Sequence, residues 1–281
     1  MTVAVIGQGL IGGSMAKAIK LNTENTVLGY DLDEKVMCRA LLVGAIDGRL
    51  RKEDVKDCSL VIFALFPNQT VKSIKEYAPY INKNATVIDT CGTKRMVCRE
   101  ISKIAHEYGF MFVGAHPMAG REKIGFSASL HNLFDNASIL LTPNGKFDIE
   151  KLDRLKKFLL SLGFSKVVLT DTDTHDEMIS YTSQLAHIVS SAYIKNPLSC
   201  KAKGFSAGSF RDMTRVATLN ETMWTELFLE NRDYLSEQTG FLIEKLEEYK
   251  KALDDNDDKT LFALLKEGRE AKEISEESMK D

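Results

Sequence analysis

Near its start the chain reads VAVIGQGLIGGS, which places Gly7, Gly9 and Gly12 in G-x-G-x-x-G spacing. An apolar run precedes these glycines and a helical stretch follows them, so the motif sits where a strand turns into a helix. Gly7 permits the tight turn, Gly9 lets backbone approach a pyrophosphate, and Gly12 allows close helix–strand packing. Leu10 and Ile11 lie within the motif, and the helix that it opens offers N–H groups and a positive dipole end to a phosphate. The next apolar run, 26–30, ends at Asp31, ~20 residues after the last glycine, where a carboxylate meets ribose hydroxyls. Leu32 and Asp33 follow it, and no arginine is there to accept a 2′-phosphate. The expectation is NAD rather than NADP, bound by Gly7, Gly9, Leu10, Ile11, Gly12 and Asp31. The plainer alternative is an ordinary strand-turn-helix with a helix-capping acid.

The rest of the first half repeats this rhythm. Apolar runs at 2–6, 26–30, 60–65, 86–89, 111–114, 138–142 and 166–170 alternate with helical stretches such as 14–22 and 34–43. Continuous rather than alternating apolar runs mark strands covered on both faces of a parallel sheet. The expected fold is a Rossmann-type, doubly wound α/β sheet over residues 1–170. After Thr170 the text becomes helical, with helices expected at 176–195, 210–219, 221–250 and 259–275. Residues 171–281 therefore read as an all-α second domain. At 281 residues the chain is long enough for two such cores. A net charge of -3 argues against a nucleic-acid or membrane-surface binder. Five scattered cysteines, with no paired C-x-x-C, fit a reducing cytoplasm better than a disulfide scaffold, and no metal site is apparent. No signal peptide and no membrane-spanning run are expected.

Several polar residues interrupt these patterns. His116 follows an apolar run and stands among small residues in VGAHPMAGRE. It serves either a local hydrogen bond or chemistry beyond a strand end, where ligands of open α/β sheets lie. Thr93, after the neighbouring strand, is either a helix cap or a second hydroxyl facing the same reacting atom. Cys91 has no activating neighbour in sequence and reads as a bystander. On the helix expected at 176–195, Asp176, Ser180, Ser183 and His187 share one face, a polar stripe that suits either a cleft wall or solvent. Arg211 and Arg215, one turn apart, can clamp a carboxylate in a bidentate fork or join a surface ion-pair network.

Taken in order, GQGLIGGS, Asp31, DTCGTK, HPMAGRE, LLTPN, THDEM with SQLAH, and FRDMTRVA followed by Trp224 resemble the prephenate and arogenate dehydrogenases of tyrosine biosynthesis. The resemblance covers nearly the whole chain and is most like a monofunctional prephenate dehydrogenase, with no further domain expected at either end. It implies oxidative decarboxylation of prephenate or arogenate with NAD, and a homodimer formed through the helical domain. It also implies residue roles: His116 as the catalytic histidine, Glu122 as an acid at the pocket mouth, and Arg215 as the holder of a substrate carboxylate. His187 matches a histidine near the substrate, and Trp224 a pocket-edge residue. Two positions depart from the family pattern. The serine that supports the substrate hydroxyl falls on Gly92, leaving Thr93 as a candidate stand-in. Ser183-Gln184-Leu185-Ala186-His187 replaces S-H-L-P-H. Two rival readings remain: a related β-hydroxyacid dehydrogenase or imine reductase, and a protein that senses NAD without turnover.

Overall fold

The computed structural model describes residues 1–121, 123–144 and 147–278. Packing divides the chain into two units, Met1–Arg232 and Asp233–Asp281.

The first unit is built on an eight-stranded sheet. Its strands are β1 (Thr2–Ile6), β2 (Thr26–Tyr30), β3 (Gly48–Arg49), β4 (Leu60–Phe63), β5 (Thr86–Asp89), β6 (Met111–Pro117), β7 (Ser138–Pro143) and β8 (Lys166–Leu169). Their spatial order is β3-β2-β1-β4-β5-β6-β7-β8. Order reverses at β1, which pairs with β2 on one side and β4 on the other, and that switch point is where open α/β sheets bind ligands. Strand residues alternate between two buried faces. Val3, Val5, Ile62 and Ile88 enter the core beneath α1 (Leu10–Asn22), α2 (Glu34–Leu42) and α5 (Ile149–Ser161). Ala4, Ile6, Val61, Phe63 and Val87 enter the other, beneath α3 (Pro67–Tyr77) and α4 (Arg95–Tyr108). Burial on both faces explains why the strands read as unbroken apolar runs.

Several features differ from the sequence reading. The sheet is not wholly parallel, because β7 runs antiparallel to β6. That pairing carries β6 past Gly114 to Pro117, so His116 lies within the strand, opposite Leu140, rather than in a loop after it. The expected helix at 176–195 is also broken. It becomes α6 (Thr172–Ile179), a π-helical turn over Ser180–Leu185, and α7 (Ala186–Ile194).

Beyond α7 come α8 (Gly208–Thr214) and α9 (Glu221–Glu230). The stretch expected as one helix over 221–250 is split at Asn231, which is fully buried. The second unit holds most of α10 (Arg232–Asp254) and all of α11 (Asp258–Ser278). Between them the carboxylate of Asp257 accepts hydrogen bonds from the Lys259 and Thr260 N–H groups and starts α11. This helical pair buries little of its own apolar surface: Phe241, Leu246, Phe262, Leu265 and Ile274 are all exposed.

Candidate active site

The glycine loop follows β1 and opens α1. Gly7 has φ of +89°, a conformation that glycine adopts without the strain of a Cβ. A Cβ on Gly12 would come within 1.8 Å of the Gly7 carbonyl oxygen, so only glycine allows this approach. A Cβ on Gly9 would meet nothing within 4 Å, which leaves open space above the turn. No side chain caps α1 and no acid occupies its first turn, so the first N–H groups stay available to an anion. Asp31, at the end of β2, is held beside this loop by the Gln8 N–H, which donates to its Oδ2 at 2.8 Å. Open space, available donors and a positioned carboxylate together fit an adenine dinucleotide.

Next to the loop lies a cavity of about 440 Å³. Leu10 and Ile11 form one wall; Gly92 comes from the turn after β5 and His116 from β6; His187 comes from α7, Arg215 from the turn that ends α8, and Trp224 from α9. His187 donates from Nδ1 to the Val216 carbonyl at 3.1 Å, and its ring lies 4.0 Å from that of Trp224, centre to centre. Arg211 is exposed and is not part of the cavity wall.

The π-helical turn rearranges the expected polar stripe. Its wider turn shifts residues out of four-residue register, a disturbance often found at functional sites. Ser183, Gln184 and His187 face the cavity. Ser180 is fully buried and donates to the Glu177 carbonyl, and Asp176 turns inward to other partners.

Those partners form a network that the motifs alone did not assign. His116 Nδ1 lies 3.0 Å from His175 Nε2, and His175 Nδ1 lies 2.7 Å from Asp176 Oδ1. Asp176 also accepts the backbone N–H groups of Lys94 at 2.8 Å and Arg95 at 2.9 Å. Asn231 donates to the Asp176 carbonyl and to Gln184 Oε1, each at 2.8 Å, while its Oδ1 accepts from Arg95 at 2.9 Å. Below this layer, fully buried Lys94 pairs with Asp89, whose Oδ1 also accepts the Ala115 N–H at 3.1 Å.

Burial, followed by the charges of His175 and Lys94, pulls the pKa of His116 well below the usual histidine value, so the imidazole is neutral at neutral pH. Burial also lowers that of His175, against the pull of Asp176. In Asp176 burial acts upward, but the bonds from His175 and from the Arg95 and Lys94 N–H groups outweigh it and keep the carboxylate ionised.

Thr93 is 1% exposed and stands off the cavity wall, because its hydroxyl is spent on Glu230. Burial raises the Glu230 carboxyl to about 7, and its Oε1 is buried without a hydrogen-bond partner. Burial likewise pushes the Cys91 thiol well above its ordinary range, away from nucleophile chemistry. Glu122 lies outside the described residues. Among the described residues, no group of three or more His, Cys, Asp or Glu is placed to hold a metal ion.

Comparison with known proteins yields a consistent set of relatives. Residues 15–169 match the family model "Prephenate dehydrogenase, nucleotide-binding domain", and residues 171–267 match "Prephenate dehydrogenase, dimerization domain". The chain is 31% identical to the prephenate dehydrogenase of Bacillus subtilis (strain 168), covering 96% of this chain and 74% of that one. It is 28% identical to the cyclohexadienyl dehydrogenase of Zymomonas mobilis, covering 96% and 94% respectively. Among solved structures, a prephenate dehydrogenase from A. aeolicus in complex with hydroxyphenyl propionate and NAD+ superposes with a TM-score of 0.83, 27% identity and 98% of both chains covered. A Synechocystis arogenate dehydrogenase shares the fold, with a TM-score of 0.82 at 23% identity over 98% of this chain and 100% of that one.

Proposed function

This chain belongs to the prephenate dehydrogenase family, and we propose that it oxidises and decarboxylates prephenate to 4-hydroxyphenylpyruvate and carbon dioxide with NAD. One observation carries the reading. His116 from the sheet and Arg215 from the helical region line a single cavity, together with Leu10 and Ile11 of the glycine loop.

We divide the work at residue 170. Residues 1–170 hold the cofactor: the N–H groups after Gly9 take the pyrophosphate, and Asp31 takes the ribose hydroxyls. Bound NAD supplies the hydride acceptor. Residues 171–281 contribute the substrate wall and a homodimer contact, the latter supported by the exposed apolar residues of α10 and α11.

Arg215 holds a substrate carboxylate, since a guanidinium grips carboxylates in a planar fork. His187 and Trp224 pack as one wall against the bound molecule. Neutral His116 accepts the proton of the ring hydroxyl as the neighbouring C4–H bond breaks. The C1 carboxylate then leaves as carbon dioxide, and its bonding pair completes the aromatic ring. Gly92, without a side chain, leaves room beside His116 for that ring. Arogenate presents the same ring hydroxyl and C1 carboxylate, with an amino group replacing the side-chain keto oxygen. The five cysteines are all unpaired thiols, which supports a reducing, cytoplasmic location. No helix among the described residues is long and apolar enough to cross a membrane.

The test is NADH formation and carbon dioxide release with prephenate and with arogenate, each supplied with NAD and with NADP. The reading predicts NADH and carbon dioxide in equal amounts from prephenate, with NAD preferred. Absence of NADH from both substrates overturns it.

A further inference from the structure

The Nε2 side of His116 faces the cavity beside Gly92, where a Cβ on Gly92 would lie 4.0 Å from it. Its other ring nitrogen is engaged by His175, and His175 by Asp176. We infer that His175 and Asp176 are positioning residues that fix His116 as its Nδ1–H tautomer and aim the Nε2 lone pair at the reacting hydroxyl. This deepens the reading of His116 as proton acceptor and rests on it.

The direction of each bond follows from its ends. An ionised carboxylate only accepts. Backbone N–H groups already donate to both oxygens of Asp176, so the carboxylate is held in place from two sides. His175 Nδ1 is therefore the donor to Asp176. A neutral imidazole carries one N–H, which leaves His175 Nε2 as an acceptor. The nitrogen facing it, His116 Nδ1, must then donate. A neutral His116 with its proton on Nδ1 keeps its lone pair on Nε2.

Surroundings reinforce this order. His175 and Asp176 are each 1% exposed, so solvent does not compete for the chain of bonds. The other ionisable groups nearby are tied to partners: Lys94 to Asp89, Arg95 to Asp176 and Asn231, and Glu230 to Thr93. When His116 gains its proton, the Nδ1–H bond to His175 brings the new cation into contact with a ring that Asp176 already polarises. The same logic operates where a buried carboxylate holds a catalytic histidine in the required tautomer. Here a second imidazole carries the effect one residue further.

Nitrogen-15 NMR of the full-length, histidine-labelled protein, recorded above the imidazole titration range, tests this directly. The His116 signals are assigned by difference against His116→Asn. The wild type should show a protonated, pyrrole-type Nδ1 and an unprotonated, imine-type Nε2. His175→Phe should mix the two tautomers and lower kcat by about 10²-fold, the lower end of what a placed acid–base group contributes. KM for NAD should hardly change. His175→Gln can donate to Asp176 and accept from His116, and should recover most of that loss. A wild-type His116 protonated on Nε2, or a His175→Phe enzyme with unchanged tautomer and kcat, overturns the inference. If His175→Phe fails to fold, the wild-type spectrum and His175→Gln decide. If no form of the protein makes NADH from either substrate, the functional reading fails, and the tautomer signals still judge the relay.

Discussion

At the scale of single residues, charge state decides function. Burial and the neighbouring charges of His175 and Lys94 depress the His116 pKa below its ordinary 6.5. A base with a lowered pKa stays unprotonated further into acid. The acidic limb of kcat/KM should therefore fall below pH 6.5, not at or above it, in a pH-rate profile with saturating NAD. Replacing His116 with Asn should reduce kcat by about 10²–10⁴ while NAD binding persists. Arg215→Ala should raise KM for the substrate and leave NAD affinity, measured by titration calorimetry, nearly unchanged; an equal loss of both would point to damaged folding. Glu230 bears on stability instead. Its carboxyl rises from 4.5 to about 7 in the folded state, chiefly through burial. Folding then favours the protonated form, a contribution present below pH 4.5 and lost as pH rises through about 7. Glu230→Gln lacks that titration, so its Tm should gain on the wild type between acid and mildly alkaline pH. Parallel Tm curves would show that Glu230 does not titrate this way.

At the scale of elements, the glycine loop and the apolar strands were legible because each rule behind them is local. Three glycines in spacing, a strand before them and an acid after β2 all sit within one short stretch. What stayed hidden depends on tertiary partners. The antiparallel pairing of β6 with β7 extends the strand through His116, yet an apolar run carries no mark of its neighbour's direction. The π-helical turn at Ser180–Leu185 was hidden for the same reason, although the missing proline and histidine of the S-H-L-P-H pattern hinted at altered geometry there. His175 and Asp176 were visible inside THDEM, but His116 lies 59 residues before His175, so nothing local linked them to it. Asn231 offered a better signal. An asparagine inside a long helical run is a poor helix former, and here it ends α9 and joins Asp176, Gln184 and Arg95. Asn231→Ala should therefore destabilise the protein by roughly 1–3 kcal/mol for each buried group left unpaired, read by denaturant unfolding. Gly12→Ala should weaken NAD binding severely, because its Cβ would lie 1.8 Å from the Gly7 carbonyl oxygen.

At the scale of the whole molecule, the two units ask for different things. The first buries two cores against its sheet and carries the cavity within itself. The second is a helical pair that leaves Phe262, Leu265 and Ile274 exposed, apolar surface that the proposed homodimer contact would cover. Light scattering should give twice the chain mass, and Phe262→Glu combined with Leu265→Glu should raise the monomer fraction. The central claim is that an imidazole on the sheet and a guanidinium beyond it act on one molecule. A crystal structure with NAD and 4-hydroxyphenylpyruvate tests it most directly. The account predicts the phenol oxygen about 2.6–3.2 Å from His116 Nε2, with the product's carboxylate on Arg215. A product ring seated away from His116, with Arg215 turned to another region, would contradict it.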